Sequence, residues 1–250
     1  MGLFDKKYCD VCGQKIGVFG NRKLEDGNLC KDCAAKLSPF FSERRASTVA
    51  EIKDQLAYRE ENREAVGRLH VTRSLGRNTK VLMDEDARKF VVTSARDLVQ
   101  ANPDVLEYSQ VTGCELDINE NKTEQKTKNA QGQMVSYVPP RYEYSYDFNM
   151  VIRVNHPYFD TMRFKLNSSS VKTPRMVPSS NPVATMPQEY KEYYQIGKEI
   201  ETALTSARQE IRDEVKAAAA PKIAVKCPHC GASTIPDASG CCEYCGGALM

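Results

Sequence analysis

The chain contains no tryptophan, and only three of its 250 residues are histidine. Histidine is the side chain that most often serves as a general acid or base, so its scarcity counts against hydrolytic or proton-transfer chemistry. No stretch approaches the roughly 20 consecutive apolar residues of a membrane-spanning helix. The start, MGLFDKKYCDVC, has no apolar signal core, and Lys6 stands where a lipidation signal carries Ser or Thr. We therefore expect a cytoplasmic protein without a transmembrane segment.

An excess of one charge is also absent. The chain has 35 Lys and Arg against 33 Asp and Glu, a formal charge of +2. Neither half of the chain is a basic block, so the charge does not single out nucleic acid or a membrane surface as partner. The hydrophobic fraction of 41% is slightly low for a globular chain of this length. These values predict one modest core with small additional domains.

Cysteine, in contrast, is abundant and regularly spaced. Eight of the ten cysteines form Cys-x-x-Cys pairs, and such pairs in a reducing compartment indicate a metal rather than disulfides. Two intervening residues let a tight turn direct both thiolates at one tetrahedral ion, with Zn–S distances of about 2.3 Å. We predict two structural Zn²⁺ ions, one bound by Cys9, Cys12, Cys30 and Cys33 and the other by Cys227, Cys230, Cys242 and Cys245. Four thiolates and one divalent ion give each occupied site a net charge of about −2. Two such sites change the formal charge of the chain from +2 to about −2.

The first pair lies in a knuckle, CDVCG, in which Gly13 supplies the backbone freedom that the closing turn needs. A short hairpin is predicted next, and the second pair then opens a helix. This order predicts a treble-clef zinc module over residues 1–45. The joint pattern YCDVCG, GVF, KLEDG and LCKDC resembles a bacterial uncharacterised-domain family, DUF4428. The resemblance implies zinc binding and no particular activity.

The middle of the chain is predicted as a connector helix followed by strands. A capping box of Thr48 and Glu51 begins a helix within residues 46–69, whose remaining surface is charged and predicted to be solvated. Alternating patterns predict a hairpin over 80–93 and strands within 105–118, 142–154 and 161–166, and the polar tract 119–133 is predicted as a long loop. An apolar stripe predicts a helix over 190–216 that packs on the sheet.

Strands followed by one closing amphipathic helix resemble a bacterial pleckstrin-homology-like (PH-like) barrel, which we expect over residues 70–216. The hairpin at 81–93 and the segment YSQVTGCEL contribute to this resemblance. A linker over 217–225 and a zinc ribbon over 226–250, with knuckles CPHCG and CEYCG, complete an expected α+β fold. The ribbon is similar to the zinc-ribbon tails of many bacterial proteins. Its spacing leaves Cys241 as a spare cysteine, and His229, between two ligands, is expected to point outward.

Catalytic groups are hard to assemble from this sequence. There is no Gly-rich phosphate loop, the run Asp84-Glu85-Asp86 is predicted as a turn, and Cys114 is predicted as a small core residue. The sequence therefore favours a non-enzymatic zinc-binding protein that acts as an interaction or adaptor module for other proteins. One alternative is a zinc-dependent nucleic-acid-binding protein. Another is a PH-like protein that binds a membrane surface through Arg73, Arg77 and Lys80.

Overall fold

The computed structural model describes residues 7–173, 186–219, 224–237 and 239–249. Helix accounts for 29% and strand for 34% of these residues, which confirms the mixed helix-and-sheet class. The chain divides into two compact units, residues 1–208 and 209–250. Part of the predicted linker, residues 220–223, lies outside the described residues.

The described elements follow one another in this order. The α-helices are α1 (Lys31–Ala35), α2 (Val49–Gly67), α3 (Leu98–Ala101) and α4 (Gln188–Ala219). The strands are β1 (Lys7–Tyr8), β2 (Lys15–Ile16), β3 (Arg22–Lys23), β4 (Asn28–Leu29), β5 (Arg73–Gly76), β6 (Lys80–Asp84), β7 (Lys89–Thr93), β8 (Leu106–Glu107), β9 (Val111–Lys128), β10 (Met134–Val154), β11 (Thr161–Lys165), β12 (Val171–Thr173), β13 (Val225–Lys226) and β14 (Ser233–Thr234).

The N-terminal module consists of two small antiparallel hairpins and a short helix. Strands β1 and β2 pair, β3 and β4 pair, and α1 follows directly. Leu24 and Leu29 are fully buried in its core, together with Ile52 from α2. Since one residue of α2 completes this core, the connector helix is anchored to the module rather than free of it.

Helix α2 begins with the predicted capping box. The Thr48 side chain accepts the Glu51 backbone N–H, and the Glu51 carboxylate accepts the Thr48 N–H at 2.8 Å. The charged part of this helix is mostly exposed, as predicted, and Arg59 is the exception among its charged residues. Arg59 is buried and its Nη1 donates to Asp104 Oδ1 at 2.6 Å, with side-chain exposures of 6% and 0%. A buried charge requires a partner, and the loop after α3 supplies it.

Further hydrogen bonds surround this buried ion pair. Asp104 Oδ2 accepts the Ser38 hydroxyl at 2.8 Å, so the segment after α1 is joined as well. Asn62 Nδ2 donates to Asn102 Oδ1 and to the Pro103 carbonyl, both at 2.8 Å. Polar contacts thus tie three separate segments of the first unit together.

Strands β5 to β8 form an antiparallel sheet in sequence order. The predicted hairpin over 80–93 is confirmed, with a register that runs from Lys80 opposite Thr93 to Asp84 opposite Lys89. Asp84 accepts the backbone N–H groups of Ala87 and His70, both at 2.8 Å. Burial alone would raise the pKa of Asp84, but these two donors hold it below its ordinary value.

The second sheet is organised around β10, which pairs with β9, β11 and β12, all antiparallel. The predicted loop over 119–133 is wrong, because β9 continues to Lys128 and the turn occupies only residues 129–133. A hairpin held by backbone hydrogen bonds does not need an alternating apolar pattern. Side-chain pairs support it instead, for example Lys122 Nζ lying 4.0 Å from the centroid of the Tyr142 ring.

A closed PH-like barrel is not confirmed. Among the described strands, β5–β8 and β9–β12 form two separate four-stranded sheets. A 3₁₀ turn at Tyr108–Gln110 separates β8 from β9, and β9 then pairs with β10 instead of continuing the first sheet. A barrel requires its first and last strands to be paired through one continuous ladder, and these two sheets do not share one within the described residues.

Helix α4 packs on the second sheet, as its apolar stripe predicts. The Tyr190 ring lies 4.9 Å from the Phe148 ring, and Leu204 is fully buried. The helix is longer than predicted at both ends. The predicted apolar stripe included Val215 as a packed residue, and this is wrong because Val215 is 62% exposed. Arg208 donates to the Thr112 carbonyl at the start of β9. No helix among the described residues combines the length and apolar character needed to cross a membrane.

Candidate metal centres

The first four-cysteine group lies in the N-terminal module. The sulphur atoms of Cys9, Cys12, Cys30 and Cys33 all lie within 4.8 Å of one another. The Cys12 and Cys30 sulphurs are 3.7 Å apart. A tetrahedral zinc ion with Zn–S bonds of 2.3 Å implies sulphur separations of about 3.8 Å, whereas a disulfide needs about 2.0 Å. The spacing therefore fits one tetrahedral ion.

A tight turn and a helix start build this first group. In the turn, Cys9 N–H donates to the Gln14 carbonyl at 2.9 Å and Gly13 N–H donates to the Cys9 carbonyl at 2.8 Å. Gly13 has a φ of +72°, which a residue with a Cβ adopts only at a cost. Cys30 is the N-cap of α1, and its sulphur accepts the Cys33 N–H at 3.3 Å. Backbone geometry thus orients both pairs toward one point.

The second group lies in the C-terminal unit. The sulphurs of Cys227, Cys230, Cys242 and Cys245 also lie within 4.8 Å of one another. The Cys227–Cys245 and Cys230–Cys242 sulphur separations are 3.6 and 3.7 Å. These distances again match the edges of a tetrahedral zinc site at about 3.8 Å.

Both pairs of the second group sit on turns that repeat the Cys9 turn. The N–H of the first cysteine donates to the carbonyl five residues later, Ala232 for Cys227 and Gly247 for Cys242, both at 2.8 Å. The glycine after each second cysteine has a positive φ, +73° at Gly231 and +69° at Gly246. The same local sequence, Cys-x-x-Cys-Gly, therefore produces the same backbone in three places.

Electrostatics explain why a cation belongs in the first group. Burial would raise the pKa of Cys9, but N–H groups of Cys12, Cys30 and Val11 lower it to about 6. Burial raises the pKa of Cys33, and hydrogen bonds with the neighbouring cysteines raise it further. One thiolate thus forms readily, while further thiolates need a compensating charge. A bound divalent ion supplies that charge and deprotonates the remaining thiols.

The second group has the same asymmetry. Burial would raise the pKa of Cys227, but the N–H groups of Cys230 and His229 lower it to about 6. For Cys245, the N–H of Gly247 acts to lower the pKa, yet hydrogen bonding with Cys230 and burial raise it to about 12. Each four-cysteine group can therefore hold one metal ion, which is consistent with two zinc ions per chain.

Three other candidate residues lie outside the four-sulphur groups. The Cys241 thiol donates to the Ser239 carbonyl at 3.7 Å. The His229 ring packs so closely against Gly247 that a Cβ atom at position 247 would lie 2.5 Å from the ring. Cys114 pairs opposite Ile152 in the β9–β10 ladder, and burial raises its pKa to about 12. A thiol with so high a pKa is a poor nucleophile at neutral pH.

The three basic residues considered for a membrane surface are largely paired with acids. Arg73 Nη1 lies 3.7 Å from the Glu85 carboxylate oxygen Oε1. Arg77 Nη2 lies 2.5 Å from the Glu192 carboxylate oxygen Oε2. Lys80 lies on the neighbouring strand β6 with no ion pair among the described residues. A different group of cations, Lys122, Lys126 and Lys128, was not predicted as a functional surface, although their even-numbered positions are compatible with one face of a strand.

Comparison with known proteins adds one finding. Residues 7–55 match a family profile described as "Domain of unknown function (DUF4428)". The match covers the first four-cysteine group and the start of α2, which confirms the resemblance noted from the sequence for this part of the chain. No curated protein and no solved structure matches the chain.

Proposed function

We propose that the protein is a non-enzymatic zinc-binding adaptor whose two terminal metal modules, a treble clef and a zinc ribbon, support a middle region that contacts other proteins. The observation that carries this proposal is the completeness of both sulphur groups, each with four ligand atoms within 4.8 Å. A zinc ion bound by four thiolates has no open position for water or substrate, so it stabilises a fold rather than catalysing a reaction.

The division of the chain follows from the same reasoning. We assign the first module to residues 1–45, a connector helix to 46–69, a PH-like region to 70–216, a linker to 217–225 and the ribbon to 226–250. The first three residues of this linker continue α4. The absence of an open metal position, together with the lack of a reactive thiol at Cys114, favours a binding role over an enzymatic one. We place such a protein in the bacterial cytoplasm, where thiols stay reduced and available to zinc.

The test is affinity capture with the zinc-loaded full chain, followed by mass spectrometry and by titration of each recovered protein against the purified chain. We expect at least one protein to bind directly with a micromolar or tighter dissociation constant. A matched chain with Cys12→Ser separates binding that needs the folded N-terminal module from binding that does not. Turnover of a substrate by the zinc-loaded chain, or no direct binder at all, would contradict the proposal.

Nucleic-acid binding is the second candidate, and one surface favours it. From residue 121 to residue 143, β9 and β10 pair only with each other among the described strands, and we call this ribbon the β-arm. Lys122, Lys126 and Lys128 lie at even-numbered positions of β9 and so share one face, on which Glu124 also lies. A two-stranded ribbon fits the major groove, and unpaired lysines contact phosphates.

A salt-dependent binding assay separates the two candidates. If the β-arm binds nucleic acid, Lys126→Gln with Lys128→Gln should weaken binding to a duplex and reduce its salt dependence by about two phosphate contacts. Lys53→Gln, on the exposed surface of α2, is the control for loss of one charge outside the β-arm and should change the salt dependence by less than one contact. An adaptor without a nucleic-acid role should bind duplexes no more tightly than about 10⁻⁶ M at physiological salt.

The membrane-surface alternative has the least support. Arg73 and Arg77 are already engaged by Glu85 and Glu192. Binding of an anionic headgroup would have to displace both acids. A vesicle-sedimentation assay with anionic lipids tests this alternative, and we expect no more binding than to neutral vesicles.

A further inference from the structure

A cleft of about 680 Å³ opens in the first unit between residues 39–54 and residues 156–163. The first segment runs from the end of the N-terminal module into α2, and the second forms the turn from β10 into β11. Its volume lies within the range of small-ligand and side-chain binding sites, about 300 to 1,000 Å³. No residue of the proposed metal sites lines it.

One wall of the cleft is aromatic. The Phe40 ring lies 5.6 Å from the Phe159 ring, and the His156 ring stacks on Phe159 with centroids 4.1 Å apart. Phe40 and Tyr158 are half-buried and line the cleft. Phe159 is buried and holds its neighbours in place, so the half-buried Phe40 and Tyr158 form a preorganised surface for a flat or cationic group.

The rim of the cleft is acidic. Glu43, Asp54 and Asp160 line it, are exposed, and make no ion pair within the described part of the chain. The one arginine of the lining, Arg163, is paired with Asp117, which does not line the cleft. The three rim carboxylates are therefore free to pair with a cation from outside this part of the chain.

His156 does not add a positive charge to the cleft. Its Nδ1 accepts the Tyr158 N–H at 3.3 Å, and its Nε2 lies 3.0 Å from the Tyr58 hydroxyl. Accepting at Nδ1 requires the neutral ring, and burial also lowers the pKa of His156. Burial raises the pKa of Tyr158, and the negative charges of Asp54 and Glu61 raise it further.

We propose that this cleft binds an arginine side chain in an exposed segment of a partner protein. A guanidinium group stacks on aromatic faces and at the same time donates hydrogen bonds to carboxylates, and it is less strongly hydrated than an ammonium group. The combination of stacked rings and unpaired rim carboxylates suits these two properties together. This inference rests on the adaptor function proposed above and specifies the chemistry of the partner.

The probe is a fluorescein-labelled, end-blocked peptide with three arginines separated by Gly and Ser, titrated against the zinc-loaded full chain by anisotropy. Matched peptides carry lysine or citrulline at the same positions, and citrulline keeps the shape of arginine without its charge. We expect the arginine peptide to bind at least about tenfold more tightly than the citrulline peptide, because charge-assisted hydrogen bonds are lost. The lysine peptide should fall between them.

Variants of the protein locate the binding. Asp54→Asn should weaken binding of the arginine peptide by about three- to tenfold, because a charged hydrogen-bond acceptor is lost. Phe40→Leu should weaken it by about two- to fivefold through loss of an aromatic face. Glu64→Gln makes the same charge change on an exposed part of α2 outside the cleft and should change binding less than twofold. Thermal melts check that each variant is folded, and if Phe40→Leu is not, Tyr158→Leu tests the aromatic wall.

Several results would overturn the proposal. These are equal affinity for the arginine and citrulline peptides, equal weakening by Asp54→Asn and Glu64→Gln, and tighter binding of free spermine than of the arginine peptide. If no arginine peptide binds at millimolar concentration while a captured protein still binds the chain, the cleft assignment fails and the adaptor function stands. If the arginine peptide binds as expected but no protein partner is recovered, the adaptor function fails and the cleft keeps its specificity for arginine.

Discussion

The buried ion pair of Arg59 and Asp104 allows a quantitative test of how the first unit is held together. Asp104→Ala removes the acceptor of Arg59 at 2.6 Å and that of the Ser38 hydroxyl at 2.8 Å. The Tyr58 hydroxyl, 3.4 Å from Asp104 Oδ1, loses a weaker contact. The substitution leaves the Arg59 guanidinium charged, almost fully buried and without a carboxylate.

The expected loss is large on the scale of domain stability. Removing one partner of a buried pair costs about 3–5 kcal/mol, because the remaining charge stays desolvated. The free energy of unfolding of a whole domain is typically about 5–15 kcal/mol. At about 2–4 °C per kcal/mol for a unit of this size, the thermal midpoint should fall by about 6–20 °C. Arg59 keeps bonds to the Lys36 and Asn102 carbonyls, which places the loss in the lower half of this range.

Urea unfolding of the zinc-loaded chain, followed by circular dichroism, measures this loss. The double variant Arg59→Met with Asp104→Leu removes both charges, so it should lose less than Asp104→Ala alone. Glu64→Ala is the control, since its contact with Arg68 at 3.9 Å is exposed. It should cost no more than about 0.5 kcal/mol.

A loss below about 1 kcal/mol for Asp104→Ala, the value expected for a surface pair, would refute this reasoning. It would mean that water reaches Arg59 in solution. A double variant less stable than Asp104→Ala would also count against it, because the charges would then contribute more than their desolvation costs.

Four further predictions concern metal, packing, pH and independence of the ribbon. Native mass spectrometry should find two zinc ions per chain and one in Cys242→Ser, because each four-sulphur group holds its own ion. Gly197→Leu should lower the thermal midpoint, since even a Cβ at Gly197 would lie 2.5 Å from Leu116 Cδ1, and Leu116→Ala should partly restore it. The lowered pKa of Asp84 means that its contribution to stability is present above about pH 4 and lost at lower pH. As the pH falls, the stability of Asp84→Asn should therefore decrease less steeply than that of the unsubstituted chain. Truncation after Lys216 should leave the midpoint of the first unit almost unchanged by calorimetry, because the ribbon derives its folding energy from its own metal.

Each of these predictions has an opposite outcome. Two ions retained by Cys242→Ser would mean that three thiolates suffice or that another residue replaces the missing one. No rescue of Gly197→Leu by Leu116→Ala would place the strain elsewhere in the helix–sheet contact. An unchanged acid limb in Asp84→Asn would show that its two N–H donors do not favour the charged form. A lower midpoint after truncation would show that the first unit depends on the ribbon.

The metal-binding geometry could be predicted from the sequence because it is local. A Cys-x-x-Cys-Gly segment forms the same turn at Cys9, Cys227 and Cys242, with the same hydrogen bond back to the first cysteine. The capping box at Thr48 and the turn at Asp84 are local in the same sense, since their donors and acceptors lie within a few residues. Such features depend little on the rest of the fold.

The polar strand after residue 119 shows where pattern reading fails. Apolar alternation identifies strands that bury one face, and β9 buries no continuous face beyond Ile118. Its pairing with β10 is held by backbone hydrogen bonds, which leave no trace in composition. The separation of the strands into two sheets was equally hidden, because strand patterns do not say which edges meet.

Only the tertiary structure decided which charged residues are buried and which surfaces face one another. Arg59 lies in a run of charged residues typical of a solvated helix, and its partner Asp104 is 45 residues away in the chain. The two walls of the acidic cleft are separated by about a hundred residues and meet only because α2 and the turn between β10 and β11 are placed side by side. Sequence alone determines interactions whose partners are neighbours in the chain. Those between distant segments follow from the packing of the whole unit, which no local pattern encodes.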